Sequence, residues 1–592
     1  MKSRARRGRV SRRGRERHVR VGLLVAIAVG ISAVLMGTLT AQAVMARTSC
    51  NDHPLMVNVA VSDDIFPAIK PVGQQFNREN HRADGRCVEV KVSAEDPAAV
   101  ASEVDGQASS AGVPATDAWI PDSSLWVDVA RAYPLGAQQV QTTGITVARS
   151  PLMIVMPGLA AAQVPAFNND VGWNFLLPTA VGGPQEPQGI QVGVDLPDPD
   201  QSAAGLAALI EMKRLLGQGT TARTELTKFV LSAQSSAQFD DPTSLAAFVS
   251  LANPPLNAHP VTVTTEQAVL SYDAVNPSHP LAARYPVGDS SALGTPELDY
   301  PYVLTSTNPA EQAAANEFGK MLQQGYTAGL VRYHGFRSAN GVTGTLPADS
   351  GLAQQTLQLA TAATPSEPST ALQTWQELQT PSKVLALIDV SSAMSTPSGL
   401  GGLTLEQLLA QTANLGLELF PDNTQMGGWE FADKLDGSLA YKQLIPVGPL
   451  NGELGLISRR ASFQQVNLSL RPQANTPAAL NQTILASYKE MNASYLPGYS
   501  NAVVVMTAGV DNAPGDIPVA TLVRKLRRLY NPSKPVELLI IMMGDKGNFP
   551  AMQQIAAAGG GAAYPVTNPT QIGEVFLEAF ARRICQSGGC EP

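Results

Sequence analysis

An apolar run that ends in an acid constrains the fold of this chain more than any other stretch. Residues 384–389 read Val-Leu-Ala-Leu-Ile-Asp, and small hydroxyl residues follow from Ser391. A short continuous apolar run of this kind is typical of a buried strand. In an open α/β sheet, polar residues at the carboxyl end of such a strand build the ligand site. A second run, residues 502–506, precedes Thr507-Ala508-Gly509 and predicts a neighbouring strand of the same sheet.

The sequence around these two strands predicts a domain over residues 381–584. Further strands are expected at 425–431 and 536–543, and helical patterns lie between the strands. Thr476 is expected to open one of these helices, over Pro477–Met491. Strands that alternate with helices predict a doubly wound parallel sheet of the α/β class.

Four motifs of this domain resemble those of von Willebrand factor A domains. They are Asp389-Val-Ser391, Gly428-Trp-Glu-Phe431, Asn475-Thr476-Pro477 and Val505-Met-Thr507-Ala508-Gly509. The resemblance implies a Rossmann-like sheet with a divalent cation, usually Mg²⁺, at its upper edge. It also implies oxygen ligands, which suit a hard cation, and a partner's acid that completes the coordination.

Two positions depart from the pattern of that metal-ion-dependent adhesion site. Ala393 stands where the family has a second serine, and Ala508 stands where it has an aspartate. A methyl group cannot ligate a cation, so the candidate metal ligands are Asp389, Ser391 and Thr476. Two interpretations stay open. Either these three residues hold Mg²⁺, or they cap local structure and the sheet serves as a rigid platform.

A second domain is predicted over residues 51–365. An apolar run at 55–61, a polar helix near 69–79 and an alternating run at 88–92 form a β-α-β unit. Such a unit predicts a parallel sheet and again the α/β class.

The order of short motifs along this region resembles that of bacterial type II extracellular solute-binding proteins. The motifs are Trp119-Ile-Pro-Asp122, Ser150-Pro151, Asp198-Pro199 with Ser202, Glu266-Gln267, Leu298-Asp-Tyr-Pro301 and Gly335-Phe-Arg337. The resemblance implies two α/β lobes, joined by a two-strand hinge, that close on a ligand.

Three serines are the candidate ligand-binding residues of this domain. Ser62, Ser123 and Ser202 each lie where a strand or loop runs into a helix, and helix N-termini suit an oxyanion. The alternative is that each serine is an ordinary helix cap. No cluster of Lys or Arg accompanies them, which argues against tight binding of a polyanion.

The amino terminus predicts membrane attachment. Residues 1–20 carry ten Lys or Arg and one Glu, and residues 21–46 carry no charge. The apolar run exceeds the roughly 20 residues that cross a bilayer, and positive charge favours the cytoplasm. We therefore expect a basic cytoplasmic head, one transmembrane helix, and the remaining chain outside the cell. A cleaved signal peptide, with Ala41-Gln-Ala43 at the cleavage site, is the alternative.

The four cysteines all follow the apolar run, where the compartment is oxidising. We expect the pairs Cys50–Cys87 and Cys585–Cys590, although four cysteines allow three connectivities. Residues 366–380 are rich in Pro and Ser at their start and are interpreted as a linker, and 585–592 as a tail.

These features favour a binding protein. The expected partners are a small-molecule solute and a protein or cell-envelope component. A structural or sensory part of an envelope complex, or a tethered transporter receptor, is the alternative. No catalytic motif such as GxSxG, HExxH or a Walker loop occurs, so we predict no enzymatic activity. Beyond residue 20 the chain has 31 basic and 48 acidic residues, which argues against nucleic-acid binding.

Overall fold

The computed structural model describes most of the chain from residue 54 to residue 584. Its gaps are 108–114, 169, 179–190, 237–238, 251–257, 289–292, 347–351, 353–354, 356, 510–512 and 544–547. The predicted head at 1–20, the transmembrane helix at 21–46 and the tail at 585–592 lie outside the described residues. Among the helices that are described, none has the length and apolar character needed to cross a bilayer.

The first domain contains thirteen strands and twelve helices within the described residues. The strands are β1 (Leu55–Val61), β2 (Arg82–Ala83), β3 (Arg86–Ala94), β4 (Ala118–Ile120), β5 (Gln141–Thr146), β6 (Ala148–Pro157), β7 (Gln191–Pro197), β8 (Gln234–Ser236), β9 (Ala258–Thr265), β10 (Leu281–Arg284), β11 (Glu297–Leu298), β12 (Pro301–Leu304) and β13 (Arg337–Ser338). The helices are α1 (Phe66–Arg78), α2 (Pro97–Val104), α3 (Ser124–Arg131), α4 (Pro134–Gln139), α5 (Gly158–Ala161), α6 (Ala203–Leu216), α7 (Thr220–Ser232), α8 (Pro242–Ser250), α9 (Glu266–Val275), α10 (Pro309–Leu322), α11 (Gly325–Tyr333) and α12 (Glu367–Gln379).

Two sheets divide this domain into two lobes. The first sheet has the order β2-β3-β1-β4-β12-β5, and the second has β10-β6-β9-β7-β8 with β11 and β13 paired to β6. The predicted β-α-β unit is present, because β1 and β3 run parallel with Leu55 opposite Val88. The chain passes between the sheets at Val147, from β5 to β6, at Asp299–Tyr300, from β11 to β12, and again between β12 and β13. The first two crossings are short and correspond to the two-strand hinge that the resemblance implied.

The segment predicted to be a linker is instead largely a helix. α12 has a proline in its first turn and packs against α3, α6 and α7 of the first domain. Trp375 is buried in that domain's core, and Lys213 Nζ donates to Thr374 Oγ1 at 3.0 Å. The Pro- and Ser-rich composition therefore marks the helix start, and only two residues separate α12 from the next strand.

The second domain contains eight strands and six helices within the described residues. The strands are β14 (Ser382–Asp389), β15 (Gln425–Asp436), β16 (Leu439–Pro449), β17 (Glu453–Leu454), β18 (Ile457–Ser458), β19 (Ser500–Thr507), β20 (Val536–Met543) and β21 (Ala563–Val566). The helices are α13 (Leu405–Glu418), α14 (Arg459–Ser469), α15 (Leu480–Ala493), α16 (Val519–Leu529), α17 (Phe549–Ala558) and α18 (Ile572–Ala581).

The main sheet of this domain has the order β16-β15-β14-β19-β20-β21. All neighbours are parallel except the edge pair β15–β16. Alternate residues of β14 face opposite sides of a sheet: Val384 and Ile388 enter one apolar core, while Leu385 and Leu387 enter another. Because both faces are covered, the sheet is doubly wound, as predicted.

Thr476 does not open a helix, contrary to the sequence prediction. α15 begins at Leu480, and its N-cap residue Ala479 provides no side-chain cap. The carboxylate of Asp516 caps the helix instead, accepting from Asn481 N at 3.0 Å and from Gln482 N at 2.9 Å. A cap from a distant loop leaves no local sequence signal, which explains the error.

The docking of α12 predicts that Trp375→Ala destabilises the first domain. Removing a fully buried Trp side chain costs about 3 to 5 kcal/mol, so the melting transition of the purified full chain should fall by several degrees. Gln373→Ala, an exposed position on the same helix, is the control and should change little. An unchanged transition in Trp375→Ala would mean that the segment behaves as a free linker.

Candidate functional site

A polar pocket lies between the two lobes of the first domain. Ser62 and Asp122 follow β1 and β4 of the first lobe. In the second lobe Ser202 precedes α6, Asp240 follows β8, and Thr265 is the last residue of β9. All five residues line the pocket. The carboxyl ends of strands from both lobes therefore meet at one place, as expected for a ligand site in α/β sheets.

The three predicted serines do not form one site. Ser62 and Ser202 line the same pocket, whereas Ser123 lines a different cavity with Arg149 and Glu211. Ser202 Oγ accepts from Gly205 N at 3.3 Å, and Ser123 Oγ accepts from Leu125 N at 3.2 Å. Both serines are thus helix caps, whereas Ser62 Oγ donates to a carboxylate.

Carboxylates dominate the pocket, and the sequence analysis did not select them. Asp63, Asp64, Asp122 and Asp240 line it, and none of the described residues around it is Lys or Arg. One available signal was the acidic pair 63–64, just after the predicted strand 55–61; the pair 240–241 followed no predicted strand. Only the folded chain brings these distant pairs together.

Asp64 joins the pocket to the hinge. Its Oδ1 accepts from Ser62 Oγ at 2.7 Å and from Ile65 N at 2.8 Å, and its Oδ2 accepts from the hydroxyl of Tyr300. Tyr300 belongs to the crossing between β11 and β12 and has a left-handed backbone, with φ +39°. Burial raises the pKa of Asp64, although the two hydroxyl donors oppose the shift.

Asp122 and Asp240 have no Lys or Arg beside them among the described residues that line the pocket. Burial raises the pKa of Asp122 well above its usual value, and the charge of Asp64 adds to this shift. Burial and then Asp64 raise the pKa of Asp240 to about 7. Oδ1 of Asp122 is buried and accepts no hydrogen bond from any described residue. Like charges gathered in a poorly solvated pocket favour protonation or a positively charged ligand.

A larger cavity adjoins this pocket. It shares Asp63, Asp64 and Asp240 with the pocket and has a volume of about 620 Å³, which is within the range of small-molecule sites. Tyr333 and His334 at the end of α11 line it. The smaller pocket holds only about 30 Å³, which is room for a water molecule or two or a small polar group.

Asp389 lies at the upper edge of the A-domain sheet, as predicted. The residue is 1% exposed. Its Oδ2 accepts from Thr507 Oγ1 at 2.6 Å and its Oδ1 from Ser391 N at 2.9 Å. Burial raises the pKa of this carboxyl, and the hydrogen bond from Thr507 opposes the rise. The acid therefore ties the ends of β14 and β19 together.

Ser391 and Thr476 lie beside this carboxylate without completing a cation site. The Ser391 hydroxyl is buried and forms no well-aligned hydrogen bond with the described residues, and Ser392 N donates to Thr476 O at 2.9 Å. The described part of the chain contains no group of three His, Cys, Asp or Glu side chains that could hold a metal. One carboxylate with both oxygens already hydrogen-bonded does not fit Mg²⁺, so the Mg²⁺ that the resemblance implied is left to the titration described below.

Cys87 takes part in a disulfide, while Cys50, Cys585 and Cys590 lie outside the described residues. Both predicted pairings therefore stay predictions.

The two lobes and the pocket between them define a binding domain. Residues 57–337 match the family described as "Bacterial extracellular solute-binding protein". This match shows a solute-binding domain over residues 57–337. The sheet order of the second domain shows the doubly wound fold that the resemblance to von Willebrand factor A domains implied. The match ends before α12.

One relative of known sequence aligns with most of this chain. An uncharacterized protein of Mycobacterium tuberculosis, in strain CDC 1551 / Oshkosh and in strain H37Rv, is 24% identical over 566 residues, which are 91% of this chain and 79% of the relative. Similar solved structures include a periplasmic thiamin binding protein (15% identity, TM-score 0.38, 56% of this chain and 96% of that one). They also include a von Willebrand factor type A protein from Catenulispora acidiphila (14% identity, TM-score 0.26, 35% of this chain and 43% of that one).

The acidic pocket predicts an unusual pH dependence of stability. A carboxyl whose pKa rises from 3.8 to about 7 on folding destabilises the ligand-free protein increasingly as pH rises between these values. Asp240→Asn should therefore raise the melting temperature at pH 8 by a few degrees and have a much smaller effect at pH 5. Asp84→Asn, on the exposed turn between β2 and β3, is the control. Equal effects of Asp240→Asn at both pH values would contradict the assigned pKa.

The donor set at Asp389 predicts no tight binding of a divalent cation. Calorimetric titration of the full chain with MgCl₂ or MnCl₂ should release no heat of binding at millimolar concentration. Heat that disappears in Asp389→Asn would instead show that the A domain holds a metal.

Proposed function

We propose that this protein is a non-catalytic, membrane-anchored binding protein that acts outside the cell. Its first domain captures a small solute between its lobes, and its A domain engages a protein or cell-envelope partner. The observation that carries the proposal is the meeting of polar strand ends from both lobes on one pocket. The matched family consists of binding proteins rather than enzymes.

The hinge geometry supports solute capture. Two of the connections between the lobes are short, a single residue at Val147 and the pair Asp299–Tyr300, so backbone rotations there would contribute to opening the pocket. Tyr300 bonds to Asp64 inside the pocket and therefore couples the hinge to any ligand that contacts this carboxylate.

The upper edge of the A domain supports partner binding by shape. Around Asp389 the chain presents an exposed loop at 395–397 and exposed residues 473–475. These segments surround a rigid edge fixed by the Asp389–Thr507 hydrogen bond. A partner would contact the backbone and hydroxyl groups of these loops, with no bridging cation.

Two alternatives compete with this proposal. The protein would be a tethered receptor that delivers its solute to a transporter, or a structural or sensory component of an envelope complex without a solute. Anchoring through residues 21–46 is common to all three, and it predicts that external protease digests the bulk of the chain on intact spheroplasts. Protection of the whole chain would contradict the proposed topology.

Solute capture predicts ligand-dependent stabilisation of the purified full chain. Thermal unfolding is measured against a panel of oxyanions, sugars, amino acids and amines. At a ligand concentration 100-fold above its Kd, stability rises by about 2.7 kcal/mol, which is a shift of several degrees. Flat curves throughout, for protein dialysed under mild denaturant to remove carried ligand, would eliminate solute capture and favour the structural alternative.

A further inference from the structure

We propose that the pocket between the lobes binds an organic cation whose ammonium-type group contacts Asp64, Asp122 and Asp240. This inference rests on the proposed solute capture and specifies the chemistry of the solute. It reverses the expectation of an oxyanion that the helix N-termini had suggested.

The acidic lining of the pocket favours a cationic ligand over an anionic one. Four aspartates line it, and none of the described lining residues is basic. An anion would be repelled by those carboxylates that are ionised, and low solvent exposure strengthens the repulsion. Arg337 is already held by Glu266 at 2.6 Å, and Arg332 lines the adjoining outer cavity rather than this pocket.

The unsatisfied oxygen of Asp122 is the second, independent observation. Asp122 lines the pocket, and its Oδ1 is buried and accepts no hydrogen bond from any described residue. A buried acceptor without a donor is destabilising, and more so when it is charged. Asp64, by contrast, already accepts from three donors. A ligand N–H group directed at Asp122 would remove this cost and neutralise the neighbouring charges.

The chemistry of the donors favours an ammonium group over a bare metal ion. Within the described residues, no three carboxylate, His or Cys side chains are placed to coordinate one metal. Both carboxylate oxygens of Asp64 already accept hydrogen bonds from protein hydroxyl groups. An ammonium or guanidinium group brings its own directed N–H donors, and it tolerates carboxylates spaced around it rather than within one coordination sphere.

The shape of the cleft indicates where the rest of the ligand lies. The inner pocket of about 30 Å³ accepts a charged headgroup only. The adjoining cavity of about 620 Å³ shares Asp63, Asp64 and Asp240 with it, so a body attached to the headgroup extends there. Tyr333 lines this outer cavity and is 84% exposed. Its ring is a free surface for an apolar chain or a second cationic group.

Isothermal titration of the full chain at pH 8 tests the inference. The probes are agmatine, putrescine, spermidine and choline as cations, sulfate and citrate as anions, glucose as a neutral solute, and Ca²⁺ and Fe³⁺ as metals. We expect at least one organic cation to bind. Its Kd should rise at least tenfold in Asp122→Asn and in Asp240→Asn, and stay within twofold in the control Asp84→Asn. Thermal unfolding of each variant establishes that it is folded.

The outcomes separate this inference from the function on which it rests. Binding of an anion or a sugar without any organic cation would overturn the inference and leave solute capture intact. Binding of a metal alone would also overturn it, as would a cation whose affinity neither aspartate variant changes. Absence of binding by every probe, together with flat unfolding curves, would reject both the inference and solute capture.

Discussion

The meeting of strand ends at one edge of a sheet is the constraint on which both candidate sites depend. Parallel strands expose their carboxyl ends on the same side, so the polar residues that follow them are forced together. In the first domain this places Asp64 and Asp122 together at the edge of one lobe's sheet, and Asp240 from the facing lobe lines the same pocket. In the second it places Asp389 beside Thr507. One cluster of acids lacks neutralising partners, whereas the other acid is fully engaged.

This difference separates the roles of the two domains. The carboxylate of Asp389 uses its oxygens to join β14 to β19, and Ala393 and Ala508 remove two oxygen ligands that would have held a cation against it. The acids of the cleft remain costly without a ligand, as the raised pKa of Asp240 indicates. Binding of a cation in the first domain would therefore relieve this destabilisation and contribute to the affinity for the ligand. α12, with Trp375, ties that domain directly to the strand that ends in Asp389.

Sequence patterns predicted the parts of this structure that depend on local chemistry. The run at 384–389 is the strand it indicated, and the alternation of strands and helices gave both sheets. The predictions were wrong where residues distant in sequence determine the local structure. Asp516 caps α15 from another loop, so the helix start near Thr476 was misplaced. The helix at 367–379 was hidden by its Pro- and Ser-rich start, although Ala371, Trp375 and Leu378 follow a helical spacing. Each aspartate of the cleft can be read from the sequence, but the sequence does not show that the two-lobed fold brings them together.

The identity of the solute that the protein carries from the cell tests this account most directly. The full chain is purified under native conditions from its own membranes and then denatured. The small molecules that it releases are identified by mass spectrometry and compared with those released by an Asp122→Asn preparation. The account predicts a nitrogen-containing cation that accompanies the natural protein and is depleted in the variant. An oxyanion or a neutral sugar, present in equal amount in both preparations, would contradict it.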